Sequence, residues 1–111
     1  MKQINISLFF TVRRQAPAFS RYPEKEIWVD EGQSVNITCI AVGSPMPQVR
    51  WLEWNEAAQQ WQQVPGSSMA IGKIILELRN VRRDVNFTCE AYSSLGSIQA
   101  QSRVKVKSMF F

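Results

Sequence analysis

The sequence predicts an all-β domain, a sandwich of two antiparallel sheets joined by one disulfide. Three observations carry that expectation. Apolar residues recur at period two in short segments separated by turn signals, the pattern of strands with one buried face. The two cysteines, Cys39 and Cys89, both fall on the inward phase of such segments. The chain has 111 residues, room for one domain of this kind and no second. Hydrophobic residues at 45% against charged residues at 20% are enough for a packed core and argue against wholesale disorder.

Taken in order, residues 1–15 are expected to be a leader, a linker or a fragment edge, residues 16–107 the domain, and residues 108–111 a tail. Met1-Lys2 and the apolar stretch up to Val12 have the outline of a secretory leader. Asn5 and Ser7 interrupt that stretch, and Arg13-Arg14 stand where small residues should precede a cleavage site. Residues 34–40 alternate, with Val35, Ile37 and Cys39 on one face and Asn36 and Thr38 on the other. Pro45 and Pro47 then force a turn, because neither can donate to a ladder. Val49 and Trp51 resume the inward face. Leu76 and Leu78 mark a further strand, with Val81 at its corner, and Val85, Phe87, Cys89 and Ala91 repeat the inward pattern. Gly96 suits the next hairpin. The segment Arg103-Val104-Lys105-Val106-Lys107 closes the set with valines inward and cations outward.

Trp51 follows Cys39 by twelve positions and Cys89 lies fifty beyond Cys39, the Cys, Trp, Cys spacing of an immunoglobulin sandwich in which the indole packs against the inter-sheet bridge. Buried free thiols of a cytosolic protein are the alternative. The shared inward phase and the placed Trp favour the bridge, and with it an oxidising, extracellular setting.

The string from Ser34 through Cys39, Gly43, Pro45 and Pro47 to Trp51 carries a more specific resemblance, together with Met69-Ala70-Ile71-Gly72, Leu76-Glu77-Leu78 and the run from Asn86 to Gly96. These residues resemble the third immunoglobulin domain of LAR-type (type IIa) receptor protein tyrosine phosphatases, and residues 12–20 look like a linker leading into it. The resemblance implies an I-set sandwich with Cys39 and Cys89 bridged and Trp51, Leu78 and Phe87 in its core signature. It implies a single-pass receptor, or a secreted fragment of one, in which this module binds cell-surface or matrix proteins in adhesion, axon guidance or synapse formation, or serves as a spacer; a domain of another immunoglobulin-superfamily adhesion protein is the alternative. Phosphatase domains would lie elsewhere in the parent.

Two places depart from the family pattern. Phe87 stands two before the second cysteine, where a corner tyrosine is usual, so a hydroxyl bond is expected to be missing. In residues 52–64, Trp54, Ala58 and Trp61 would form one stripe on a short helix, with strand and loop left open as alternatives. The tryptophans read either as packing over the sandwich edge or as a partner-binding patch.

Sequons occur at Asn5, Asn36 and Asn86, and the latter two sit on outward phases of strands in opposite sheets, so both are glycan candidates. Arg103, Lys105 and Lys107, joined by Arg50, form a cationic row that suits heparan or chondroitin sulfate. The alternative is an edge strand protected against pairing by its charges. Arg82-Arg83 is a smaller basic cluster. The formal charge of +4 is too mild and dispersed for nucleic acid. No apolar run reaches the roughly 20 residues that span a bilayer. The chain has no histidine, its cysteines are taken up by the bridge, and no paired carboxylates or metal-ligand cluster stand out. A non-enzymatic module without cofactor or metal is expected.

Overall fold

The computed structural model describes residues 13–108 as an all-β molecule of nine strands. Residues 1–12, with the Asn5 sequon and the leader-like stretch, and residues 109–111 lie outside the described residues. A first sheet holds β1 (Gln15–Arg21), β3 (Val35–Ser44) and β7 (Lys73–Leu78) in the order β1-β3-β7. The second holds β2 (Glu26–Asp30), β9 (Gly96–Lys107), β8 (Val85–Ser93), β4 (Gln48–Asn55) and β5 (Gln60–Gln63) in the order β2-β9-β8-β4-β5, while β6 (Ala70–Ile71) also pairs with β4. All pairings are antiparallel except β2 with β9. Among the described residues no helix is long and apolar enough to cross a membrane.

Alternation accounts for the core. Ile37, Cys39 and Ala41 from β3, Ile74 and Leu76 from β7, Val49 and Trp51 from β4, Phe87, Cys89 and Ala91 from β8, and Val104 from β9 are all buried between the sheets. Leu78 is partly buried against this cluster. The Cys39–Cys89 disulfide joins β3 to β8 and so staples one sheet to the other. Trp51 pairs with Cys89 in the β4–β8 ladder, which sets the indole beside the bridge, and Phe87 meets its ring edge-on at 6.4 Å between centroids. A crevice of about 170 Å³ borders Phe87, Val81 and Arg82. Phe87→Tyr would place a hydroxyl toward it and is expected to raise unfolding stability by about 1 kcal/mol, read from the urea midpoint. An unchanged midpoint would mean that the corner bond does not form here.

The start of the domain corrects the linker expectation for residues 15–20. Gln15–Arg21 is a strand, with Pro17 buried and a register shift between Gln15 and Ala18 that spans it, as expected where proline interrupts a ladder at an edge; a second shift falls between Phe19 and Arg21. The chain then crosses to the other sheet, where Ser102, fully buried, donates its hydroxyl to the Glu24 carbonyl at 2.6 Å and the Arg103 amide bonds Lys25 O at 2.9 Å. β2 therefore flanks β9, and the cationic last strand is not an edge.

A second crossover falls between β6 and β7. Gly72, at φ +77°, donates to Pro47 O and accepts from Ala41 N, so one residue bonds to chain segments of both sheets. A side chain is strained at that φ, and Gly72→Ala is expected to cost about 1–2 kcal/mol by the same urea assay.

Candidate functional site

The outward face of the larger sheet brings most of the sequence-predicted surface residues together. On β4 this face carries Arg50, Leu52 and Trp54, and on β8 it carries Asn86, Thr88 and Glu90, because Arg50 pairs with Glu90 and Leu52 with Thr88. The same register carried one step further sets Trp54 abreast of Asn86, and Asn86 pairs in turn with Arg103 on β9. One row across the sheet thus contains Trp61, Trp54, Asn86, Arg103 and Glu26.

The tryptophans do not lie on a helix. Residues 52–64 form the β4–β5 hairpin, in which Trp54 and Trp61 are direct cross-strand partners with centroids 5.4 Å apart at 68°. The turn is set locally: Asn55 Oδ1 accepts from the Ala58 amide, and Gln59 at φ 52° donates its side-chain amide to Glu56 O. Ala58 is exposed in that turn, away from any stripe. Both indoles are half-buried, and Trp54 Nε1 donates to Glu56 Oε1 at 3.1 Å. Edge-to-face contact and a satisfied indole N–H hold the pair rigid while leaving ring surface outward.

A cleft of about 440 Å³ opens beside Trp54, walled by Asn55, Gln62, Asp84 and Asn86. Its polar lining is completed by the carboxylates of Glu53 and Glu56 and by Arg83. Next along the face, Leu52 and Thr88 are buried at 8% and 2% exposure although alternation points them outward. Nothing in the period-two pattern shows that these outward positions are covered; the neighbouring Trp54 and Trp61 are the hint the sequence offers.

The cations fare differently. Arg50 does not join the β9 row: its guanidinium bonds Glu90 Oε1 at 2.7 Å and lies 5.7 Å from the Tyr92 ring centroid, while Gln99 donates to the other Glu90 oxygen at 3.0 Å. That network sits four residues along β9 from Arg103, about 13 Å away. Within the row itself, Arg103 is in register with Glu26 and Lys107 with Asp30, so carboxylates alternate with the cations. Lys105 is in register with the exposed Trp28. Arg82 reaches Glu31 at 3.7 Å and donates to Asn80, which ties down half of the Arg82-Arg83 pair.

Asn36 is exposed on the opposite sheet, paired with Glu77. At the far end of the sandwich from the Trp hairpin, Met46 and Met69 are about half exposed and Ile71 still more so. Tyr92 lies between them, its single O–H within reach of two acceptors, Gln48 Oε1 and the Met69 sulfur. The 93–96 turn borders this end, with the Leu95 amide held by Ser93 Oγ. No group of three or more acidic, cysteine or histidine residues converges among the described residues.

Comparison with known proteins agrees with this architecture. The family model described as Immunoglobulin I-set domain matches residues 17–106. Tyrosine-protein phosphatase Lar of Drosophila melanogaster is 44% identical over 103 residues, covering 93% of this chain and 5% of the relative. Receptor-type tyrosine-protein phosphatase F of Homo sapiens is 45% identical over 103 residues with the same coverage. Receptor-type tyrosine-protein phosphatase S of Gallus gallus is 45% identical over 98 residues, 88% of this chain and 6% of the relative. The chain thus spans only 5–6% of the length of these relatives. Among solved structures, a chimeric titin Z1Z2 superimposes with a TM-score of 0.71 at 21% identity, covering 86% of this chain and 98% of the other. The tandem Ig repeats of Dlar give 0.65 at 22%, covering 86% and 50%. At that identity the two structures speak for the fold alone. The chain belongs to the immunoglobulin I-set family, as a non-catalytic domain of the kind carried by LAR-type receptor tyrosine phosphatases.

Proposed function

We propose that this chain is the third immunoglobulin domain of a LAR-type receptor, displayed outside the cell and contributing to adhesive protein recognition together with its neighbours. The observation that carries the reading is the 44–45% identity to LAR-type receptors over nearly the whole chain, on a sandwich whose core is bridged by Cys39–Cys89. A bridged core fits an oxidising compartment. Recognition has two candidate locations: the Trp54–Trp61 hairpin, and the opposite end formed by Met46, Tyr92 and the 93–96 turn. Spacing between neighbouring domains is the role left if neither binds.

A binding screen of the chain against surface-displayed synaptic and matrix proteins tests this. A partner lost on substitution at one of the two locations supports recognition, and no partner at either supports spacing. The sulfated-glycan reading is weaker, because Glu26 and Asp30 stand in register with Arg103 and Lys107. Elution from heparin at or below physiological salt is expected, since interspersed carboxylates reduce attraction to a polyanion.

A further inference from the structure

We propose that an N-linked glycan on Asn86 folds back over the Trp54–Trp61 pair and seats its first sugar in the adjoining cleft. The chain's own carbohydrate then caps this hairpin. Asn86 heads the sequon Asn86-Phe87-Thr88 and is exposed on β8. Its position abreast of Trp54 follows from the β4–β8 register, so a glycan leaving the Asn86 amide starts beside the indole.

The chemistry of the cleft matches an amino sugar. A pyranose has an apolar C–H face and an equatorial rim of hydroxyl and amide groups. The aromatic surface of Trp54 offers a partner for the first, through weak C–H to π contacts of the kind that recur in proteins. Asn55, Gln62 and Asp84 line the cleft; Asn55 Nδ2 donates to Gln62 Oε1, Gln62 Nε2 to Glu53 Oε2, and Asp84 Oδ1 accepts from Val106 N, so each offers the second its remaining N–H or lone pair. Its volume of about 440 Å³ falls in the range typical of small-ligand sites.

The inference rests on the extracellular placement proposed above and deepens it. A covered hairpin cannot also dock a protein, so recognition passes to the Met46–Tyr92 end, and Trp54 and Trp61 serve as a platform for the glycan.

The test uses the full chain secreted behind a heterologous leader from cells that make high-mannose glycans, in a Trp28→Phe background that removes an exposed indole. Three forms are compared: fully glycosylated, trimmed to one N-acetylglucosamine by endoglycosidase, and Asn86→Gln. Acrylamide quenching is expected to be strongest in Asn86→Gln and weak in both sugar-bearing forms, which should also melt about 4 °C higher. In Trp54→Ser/Trp61→Ser chains, the melting difference between glycosylated and Asn86→Gln forms is expected to vanish. Equal quenching in all three forms, or an unmodified Asn86 by peptide mass, overturns the proposal. The heterologous leader places every form in the secretory pathway, so such a failure counts against the capping alone. The extracellular role stands or falls by the binding screen.

Discussion

Replacing Cys39 and Cys89 together by alanine is expected to lower unfolding stability by about 4 kcal/mol. The bridge closes a loop with a sequence separation of 50, and in the chain-entropy account a loop of that size removes roughly this much denatured-state freedom. Most small domains hold only about 5–15 kcal/mol in total, so the loss removes a large share of the stability. Both sulfurs are fully buried between the sheets, so their removal also leaves a void beside Trp51. Urea unfolding followed by tryptophan fluorescence reads the effect. A loss below about 1 kcal/mol would show that sheet packing, rather than the covalent link, holds the two layers together.

Trp51→Ala is the second large effect, expected at about 3–5 kcal/mol, the usual cost of deleting a buried aromatic side chain. Trp51 is the largest fully buried side chain and lies between the bridge and Phe87. Its indole N–H has no hydrogen-bond partner among the described residues, so the residue stays for its volume despite an unmet polar group. Trp51→Phe should therefore cost clearly less than Trp51→Ala, since it loses part of the volume and also removes the orphaned donor. Equal losses for the two variants would place the worth of Trp51 in the far edge of the indole ring. The alanine substitutions at Trp51 and at the cysteines touch one another, and their effects are expected not to add.

Much of this was legible from the chain itself. Cys39, Trp51, Phe87 and Cys89 fall on inward phases of segments that form central strands, and central strands are buried on one face by neighbours on both sides, so alternation reports their orientation. Edge elements follow another rule. Gln15–Arg21 and Glu26–Asp30 exist as strands because β3 and β9 offer them ladders, and neither segment alternates cleanly enough to announce itself.

The hairpin of residues 52–64 shows why some features needed three dimensions. Trp54 and Trp61, seven apart, share a face on a helix and equally face each other across a four-residue turn. The deciding contact is the pairing of β4 with β8, where Glu53 meets Phe87 far along the chain. Arg50 is similar: its sequence neighbours say nothing of Glu90, yet register places the two side chains together and takes Arg50 out of the cationic row.

By itself, then, the order of residues determined the sandwich, the bridge and its indole, because spacing within a strand is enough to say which side chains face inward. Tertiary structure alone decided which surface residues share a row, which outward positions are covered and which strand is an edge. Those depend on partners brought alongside by ladders between distant segments, and no local periodicity encodes the register of a distant pair.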